Sequence, residues 1–120
     1  MMVHDVLHLP TVENIRDAKV QEICRYIAVH LQEELTYEFI QEQVGVKRHD
    51  LVARFREHTG VTLTAYIIRM RLVAVVEKVR GGMKIEKAVN GAGFRTYSHF
   101  YKEFVKYFGV SPRTYFQTDK

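Results

Sequence analysis

Apolar residues recur along most of this chain at three- and four-residue steps, the spacing that lines one face of an α-helix. Val20, Ile23, Ile27 and Leu31 mark a first amphipathic helix over roughly 17–32. Tyr37, Ile40 and Val44 are the stripe of a short second one, with Thr36 placed to cap it and Glu38 in its first turn, where the helix dipole favours an acid. Gly45 then supplies a turn free to take positive φ. A third helix over roughly 48–58 turns Leu51 and Phe55 inward and ends at Gly60. Thr62 can cap a long helix to about Val79, stopped by Gly81-Gly82. Its Ile67, Ile68, Leu72, Val75, Val76 and Val79 are too many for one stripe, so it is expected to be buried on several sides as a connecting rod.

Beyond that rod the pattern returns. Ile85, Ala88, Val89 and Ala92 line a short helix, Gly93 makes a turn, and Thr96 can cap a helix that turns Phe100 and Phe104 inward before Gly109 closes it. Ser111-Pro112 is a cap followed by proline at the first helical position, the start of a last helix. The return is written into the residues: Phe55-x4-Gly60-Val61-Thr62-x3-Tyr66 reappears 49 positions later as Phe104-x4-Gly109-Val110-Ser111-x3-Tyr115. Leu51 matches Phe100 at the same offset, and Gly45-Val46 matches Gly93-Phe94 at 48. The one-residue slip falls in a turn, where insertions are tolerated. Two copies are too few for a solenoid, which needs about three. Short helix, glycine turn, and second helix with a buried i, i+4 pair is the helix-turn-helix pattern, here twice over. The fold class expected is all-α, about seven helices, homeodomain-like and duplicated. Its parts are a tail over 1–12, a first subdomain over 13–61, a connecting helix over 62–80 and a second subdomain over 81–120.

Composition narrows the partners. At 47% hydrophobic and 27% charged, the 120 residues are ordinary globular material. The longest apolar runs fall far short of the roughly 20 residues a membrane span needs, and Met1-Met2-Val3-His4-Asp5 lacks the basic flank and apolar stretch of a signal peptide. The single Cys24 cannot form an internal disulfide, which points to a reducing compartment, the cytoplasm. Net charge is +4, but unevenly spread: residues 1–60 carry 7 Lys/Arg against 10 Asp/Glu, residues 61–120 carry 11 against 4. Such asymmetry suits either a polyanion partner for the second half or a solvated basic face.

Taken in order, these residues resemble the DNA-binding domain of the AraC/XylS family of bacterial transcription regulators. The features that carry the likeness span roughly residues 13–116. They include Tyr26-Ile27-x2-His30, Leu35-Thr36, Gly45-Val46, Leu51-x3-Phe55 and Gly60-x-Thr62-x3-Tyr66-Ile67-x3-Arg71-Leu72. Most diagnostic are Gly93-Phe94-x3-Ser98-x-Phe100-x-Lys102-x-Phe104 and Gly109-Val110-Ser111-Pro112-x2-Tyr115. The resemblance implies seven helices whose third and sixth enter successive major-groove segments, and binding of an asymmetric site by one polypeptide. It implies double-stranded DNA as partner, RNA polymerase as a further one for an activator, and a place on the bacterial nucleoid. The chain departs from the family at several positions. Lys47 stands where a capping Ser is usual and Ala53 where an Arg is expected; Gln41 replaces a small residue, Ala88-Val89 an Ile-Ala pair, and Phe116 an Arg.

Helical geometry selects the outward face independently of the family. With Leu51 and Phe55 inward, Ala53 points directly out, flanked by His49, Asp50, Arg56 and Glu57, a charge-balanced surface. With Phe100 and Phe104 inward, Lys102 points out, flanked by Ser98, His99, Val105 and Lys106, with Tyr97 and Tyr101 on one shoulder. Donors dominate there, as phosphates and guanine edges require. By position, the family's contacting sites fall on Arg48, His49, Val52, Ala53 and Arg56, then Tyr97, Ser98, His99, Tyr101 and Lys102; Lys106 joins them from the helical argument. The second helix is the stronger candidate reader. His30 is read as a helix-end residue, Cys24 as core filler, and Tyr66 and Tyr115 as repeat-core residues, while Tyr97 and Tyr101 stay open between packing and contact.

No Cys or His pair has zinc spacing, no glycine-rich loop follows a strand, and no nucleophile sits in a recognisable setting, so no enzyme, metal or cofactor is expected. Two other readings remain at this level. A helical protein-interaction module of the same fold could have lost specific DNA binding, as Lys47, Ala53 and the acidic first half would suit. The chain could also be a stand-alone regulator or a piece of a longer protein with a sensing domain.

Overall fold

A computed structural model describes residues 7–118. Among them the chain is all-α, with no strand: seven α-helices preceded by one 3-10 turn at Val12–Asn14. The helices are α1 Ala18–Val29, α2 Tyr37–Val44, α3 Arg48–Thr59, α4 Leu63–Arg80, α5 Ile85–Gly91, α6 Tyr97–Phe108 and α7 Pro112–Thr118.

The ends of the helices follow from side chains at their caps. Thr36 Oγ1 accepts from Phe39 N at 3.1 Å, Thr62 Oγ1 from Ala65 N at 3.1 Å, and Thr96 Oγ1 from His99 N at 3.1 Å. Ser111 Oγ accepts from Thr114 N at 3.2 Å. Each satisfies an amide that the helix itself leaves without a partner. Lys47, at the cap of α3, makes no such side-chain bond, as its chemistry dictates. Gly45 ends α2 at φ 70° and ψ 38°, a left-handed conformation that other residues adopt only at a cost. One expectation shifts. The helix drawn over 17–32 stops at Val29, because the His30 N–H is shared between Tyr26 O and Ile27 O at 3.2 and 3.1 Å while its ψ of 27° takes the chain out of the helix. The His30 ring stacks on Tyr26 at 4.1 Å, and Leu31 still packs against the core from the following turn.

The chain divides into two compact units inside α4, the first spanning Leu9–Met70 and the second running on from Arg71 and also taking in Leu7 and His8 among the described residues. In the first, Val20, Ile23, Cys24 and Ile27 of α1 meet Ile40 and Val44 of α2, Leu51 and Phe55 of α3, and Leu63, Tyr66 and Ile67 of α4. Phe55 and Tyr66 pack edge to face with ring centres 5.2 Å apart. Leu9 and Val12, within the segment expected as a tail, also pack on this core. In the second unit the buried residues include Leu7, along with Leu72, Val73, Val75 and Val76 of α4, Ala88 and Val89 of α5, Ala92 and Phe94 of the turn, Phe100 and Phe104 of α6, and Pro112 at the start of α7.

The inner face of α6 is almost wholly aromatic. Phe100 lies 5.5 Å from both Phe94 and Phe104, and Phe104 meets Phe108 at 4.3 Å, Tyr115 at 5.4 Å and Phe116 at 6.0 Å. Such ring pairs contribute about 0.5–1.5 kcal/mol each beyond the area they bury. Removing Phe104 therefore costs the second unit more than any surface change. Phe104→Ala is expected to destabilise by about 3–5 kcal/mol and Leu51→Ala by about 2–5 kcal/mol. Val29→Ala, at a side chain 78% exposed, should stay within about 0.5 kcal/mol. Urea unfolding followed by circular dichroism checks all three, and near-equal midpoints would contradict this packing.

Candidate nucleic-acid interface

Burial of one pair per helix decides what each helix displays. Leu51 and Phe55 are fully buried, as are Phe100 and Phe104. At about 100° per residue the residues between them must face away from the core. All eleven residues singled out from the sequence (Arg48, His49, Val52, Ala53 and Arg56 on α3; Tyr97, Ser98, His99, Tyr101, Lys102 and Lys106 on α6) are exposed. The structure gathers them into two outward faces, one per helix-turn-helix motif.

The first face is held from behind by α1. Asp17 caps α1 by accepting from Val20 N at 3.0 Å, and its other oxygen takes the Arg54 Nε of α3 at 2.5 Å and lies 3.4 Å from His58 Nε2. Burial alone would raise the Asp17 carboxyl pKa, but the Arg54 and Val20 hydrogen bonds and the charges of Arg54 and His58 carry it below the ordinary value. Lys19, two residues on, donates to the last carbonyl of α2, Val44 O, at 2.9 Å, where the helix dipole favours a cation. One short stretch of α1 thus fastens both helices of the motif. On the outer side, Arg48 lies 4.5 Å over the Tyr37 ring and 3.5 Å from Glu38 Oε1, both from α2. Part of its charge is already engaged within the motif. The Arg56 side chain has no ion pair or hydrogen bond among the described residues.

The second face is richer in donors. The Lys102 amine has no partner among the described residues, and Lys106 Nζ rests 5.4 Å over the Tyr107 ring. Tyr97 and Tyr101 are 40% and 45% exposed, enough for each to pack and still present its hydroxyl. Tyr97 packs 5.4 Å from Phe100. Burial and then the charge of Glu86 raise its phenol pKa, so it remains a neutral donor. His99 packs edge-on to Phe94 at 5.7 Å, and its Nε2 lies 3.8 Å from Glu103 Oε1. The sequence reading did not anticipate either the Asp17–Arg54–His58 group or the capture of Arg48. Cys24 is buried in the core, where burial pushes its thiol pKa up despite the Tyr66 hydroxyl beside it, which fits filler rather than chemistry.

Comparison with known proteins bears on the family and the fold. Residues 40–118 match a family model described as a helix-turn-helix domain. Over 98 residues, 81% of the chain, it is 29% identical to the HTH-type transcriptional activator RhaS of Salmonella schwarzengrund, and equally so to RhaS of Salmonella arizonae. It spans 35% of the length of these curated relatives. Among solved structures it is similar to the C-terminal domain of AraT, a response regulator from Geobacillus stearothermophilus, with a TM-score of 0.79, 24% identity, and 85% of this chain and 86% of that one covered. It is also similar to the DNA-binding domain of AdpA, a global transcriptional factor solved with a target DNA, with a TM-score of 0.75, 21% identity, and 82% and 90% coverage. At these identities the solved structures establish the fold.

The Asp17 group has a pH signature. A carboxylate held below its ordinary pKa stabilises the fold above the unfolded-state value of about 3.9, and that contribution is lost as pH falls through the lower folded value. Asn keeps the cap and removes the charge. Asp17→Asn should therefore lower the Tm at neutral pH, and the gap to the parent should close as pH drops below about 4. A gap that persists unchanged into acid would show that the Asp17 charge, paired with Arg54, does not stabilise the fold.

Proposed function

We propose that this chain, which belongs to the AraC-type helix-turn-helix family, is the DNA-binding unit of a bacterial transcription regulator that sets α3 and α6 into successive major-groove segments of one duplex. The observation that carries the proposal is the pairing of two like-built helices, each with its inner face buried and its outer face free. An α-helix fits the major groove, and side chains on its outer face are the ones that reach base edges and phosphates. On α6 that face offers Lys102, Lys106, Ser98, His99 and the hydroxyls of Tyr97 and Tyr101. On α3 it offers Arg56, His49, Arg48, Val52 and the methyl group of Ala53, which can meet only another apolar group such as a thymine methyl.

Two reading helices in one polypeptide allow a single molecule to occupy an asymmetric site, without the two-fold symmetry that dimeric helix-turn-helix proteins impose. The basic balance of the second half supplies the sequence-independent part of the affinity. No metal or small cofactor takes part in this mode of binding. An activator working this way would reach RNA polymerase from the surfaces left free, in the cytoplasm and on the nucleoid.

A second reading, a helical interaction module that no longer binds specific DNA, draws on Ala53 at the centre of the first outer face and on the engagement of Arg48 by Tyr37 and Glu38. One titration separates the two. A duplex is first selected from a random pool, and affinity is then measured across salt concentrations. On the DNA-binding reading, log affinity falls linearly with log salt by about 0.9 per phosphate neutralised. Lys102→Ala should weaken binding by about 1–3 kcal/mol if it reads a base, or flatten the slope by about one if it meets a phosphate, and should be more damaging than Arg56→Ala. A slope near zero supports the interaction module. A larger loss from Arg56→Ala in a well-folded variant makes α3 the principal reader.

A further inference from the structure

Beside the start of α6, the second unit carries a cleft of about 420 Å³ lined by Val79, Ile85, Tyr97, Arg113, Phe116 and Gln117. Four helices contribute to it: the end of α4, the start of α5, the start of α6 and α7. The volume lies within the range of sites that enclose small molecules, roughly 300–1,000 Å³. Most of the wall is hydrocarbon, from Val79, Ile85, Phe116 and the Tyr97 ring. Among the described residues no carboxylate lines it, and the Glu86 charge reaches it only through Tyr97. Its one charged lining group among the described residues is Arg113, which is exposed and forms no ion pair or hydrogen bond with them.

Phe116 supplies an aromatic part of this wall. Here the ring is fixed by contacts with Tyr115 at 5.3 Å and Phe104 at 6.0 Å, so the apolar wall is anchored to the core of the unit. A second cation at that position would favour phosphates. A fixed aromatic ring opposite a single guanidinium favours a molecule with an apolar body and one negative end.

We propose that the cleft binds a small apolar monocarboxylate, its hydrocarbon part against Val79, Ile85 and Phe116 and its carboxylate on the Arg113 guanidinium. A planar guanidinium can give a carboxylate two parallel N–H donors. The Tyr97 hydroxyl and the Gln117 amide can supply further donors. A neutral ligand would gain nothing from the Arg113 charge, and a nucleic-acid backbone has no apolar body to fill the remainder. The site is independent of the DNA-binding proposal, although Tyr97 belongs to both surfaces.

The test titrates the full chain, free of DNA, with 4-phenylbutanoate and with the matched neutral alcohol 4-phenylbutanol, following backbone amides by NMR. The expected result is saturable shifts centred on Val79, Ile85, Tyr97, Arg113 and Phe116, with the acid bound roughly tenfold more tightly than the alcohol. Arg113→Gln should abolish that preference, and Arg113→Lys should retain most of it. Equal affinity for acid and alcohol would overturn the proposal. So would shifts that do not saturate or that centre elsewhere, or an Arg113→Gln variant with an unchanged spectrum and undiminished preference for the acid.

Discussion

The arrangement rests on two buried pairs, Leu51 with Phe55 and Phe100 with Phe104, each spaced by four residues on a helix of twelve. Sinking such side chains into a core gains about 1.5–3 kcal/mol apiece, more than any surface contact those helices make could offset. The helix has no freedom to rotate about its axis once that pair is committed. Everything on its other side is thereby assigned: Ala53 and Arg56 outward on α3, Lys102 and Lys106 outward on α6. The turn before each helix sets the angle of approach, and Gly45 and Gly93 both take positive φ to make it. Packing, rather than any interaction at the surface, determines which residues are offered to a partner.

The two motifs share this plan and differ in what holds it. Behind α3 the brace is ionic and polar. Asp17 joins the cap of α1 to Arg54 and His58, and Lys19 closes the last carbonyl of α2. Behind α6 the brace is a run of rings from Phe94 through Phe104 to Phe108, Tyr115 and Phe116. Ionic braces respond to pH and salt, whereas apolar ones respond mainly to temperature and denaturant. On the proposed reading the first reader is the one whose position depends on solution conditions. It is also the one whose cation Arg48 is partly engaged by Tyr37 and Glu38. The second combines a rigid base with a Lys102 amine that has no partner among the described residues.

Much of this was legible in the residues. Thr36, Thr62, Thr96 and Ser111 cap where local chemistry places them, and Gly45, Gly60 and Gly109 end helices in left-handed conformations. The i, i+4 pairs gave the inner faces, and through helical periodicity the exposure of all eleven candidate residues. Periodicity describes one helix at a time and says nothing of which distant helix it will meet. Arg54 lies 37 positions from Asp17, and no local pattern links them. Arg48 lies ten from Glu38 across a turn whose geometry had to be known first. The early end of α1 at Val29 was hidden because Leu31 keeps the helical spacing while packing from a turn.

The central claim is that the faces opposite the buried pairs are the ones that meet DNA. Photocrosslinking from single benzoylphenylalanine residues tests it most directly. The probe is placed at position 53 on the outer face of α3, at position 105 beside Lys102 on α6, and, as a control, at Ala28 on the exposed side of α1. Each variant is irradiated with a selected duplex at a salt concentration that suppresses non-specific binding. Protein–DNA crosslinks are expected from positions 53 and 105 and none from position 28. Crosslinks as strong from 28, or from neither outer face while the duplex remains bound, would contradict that claim.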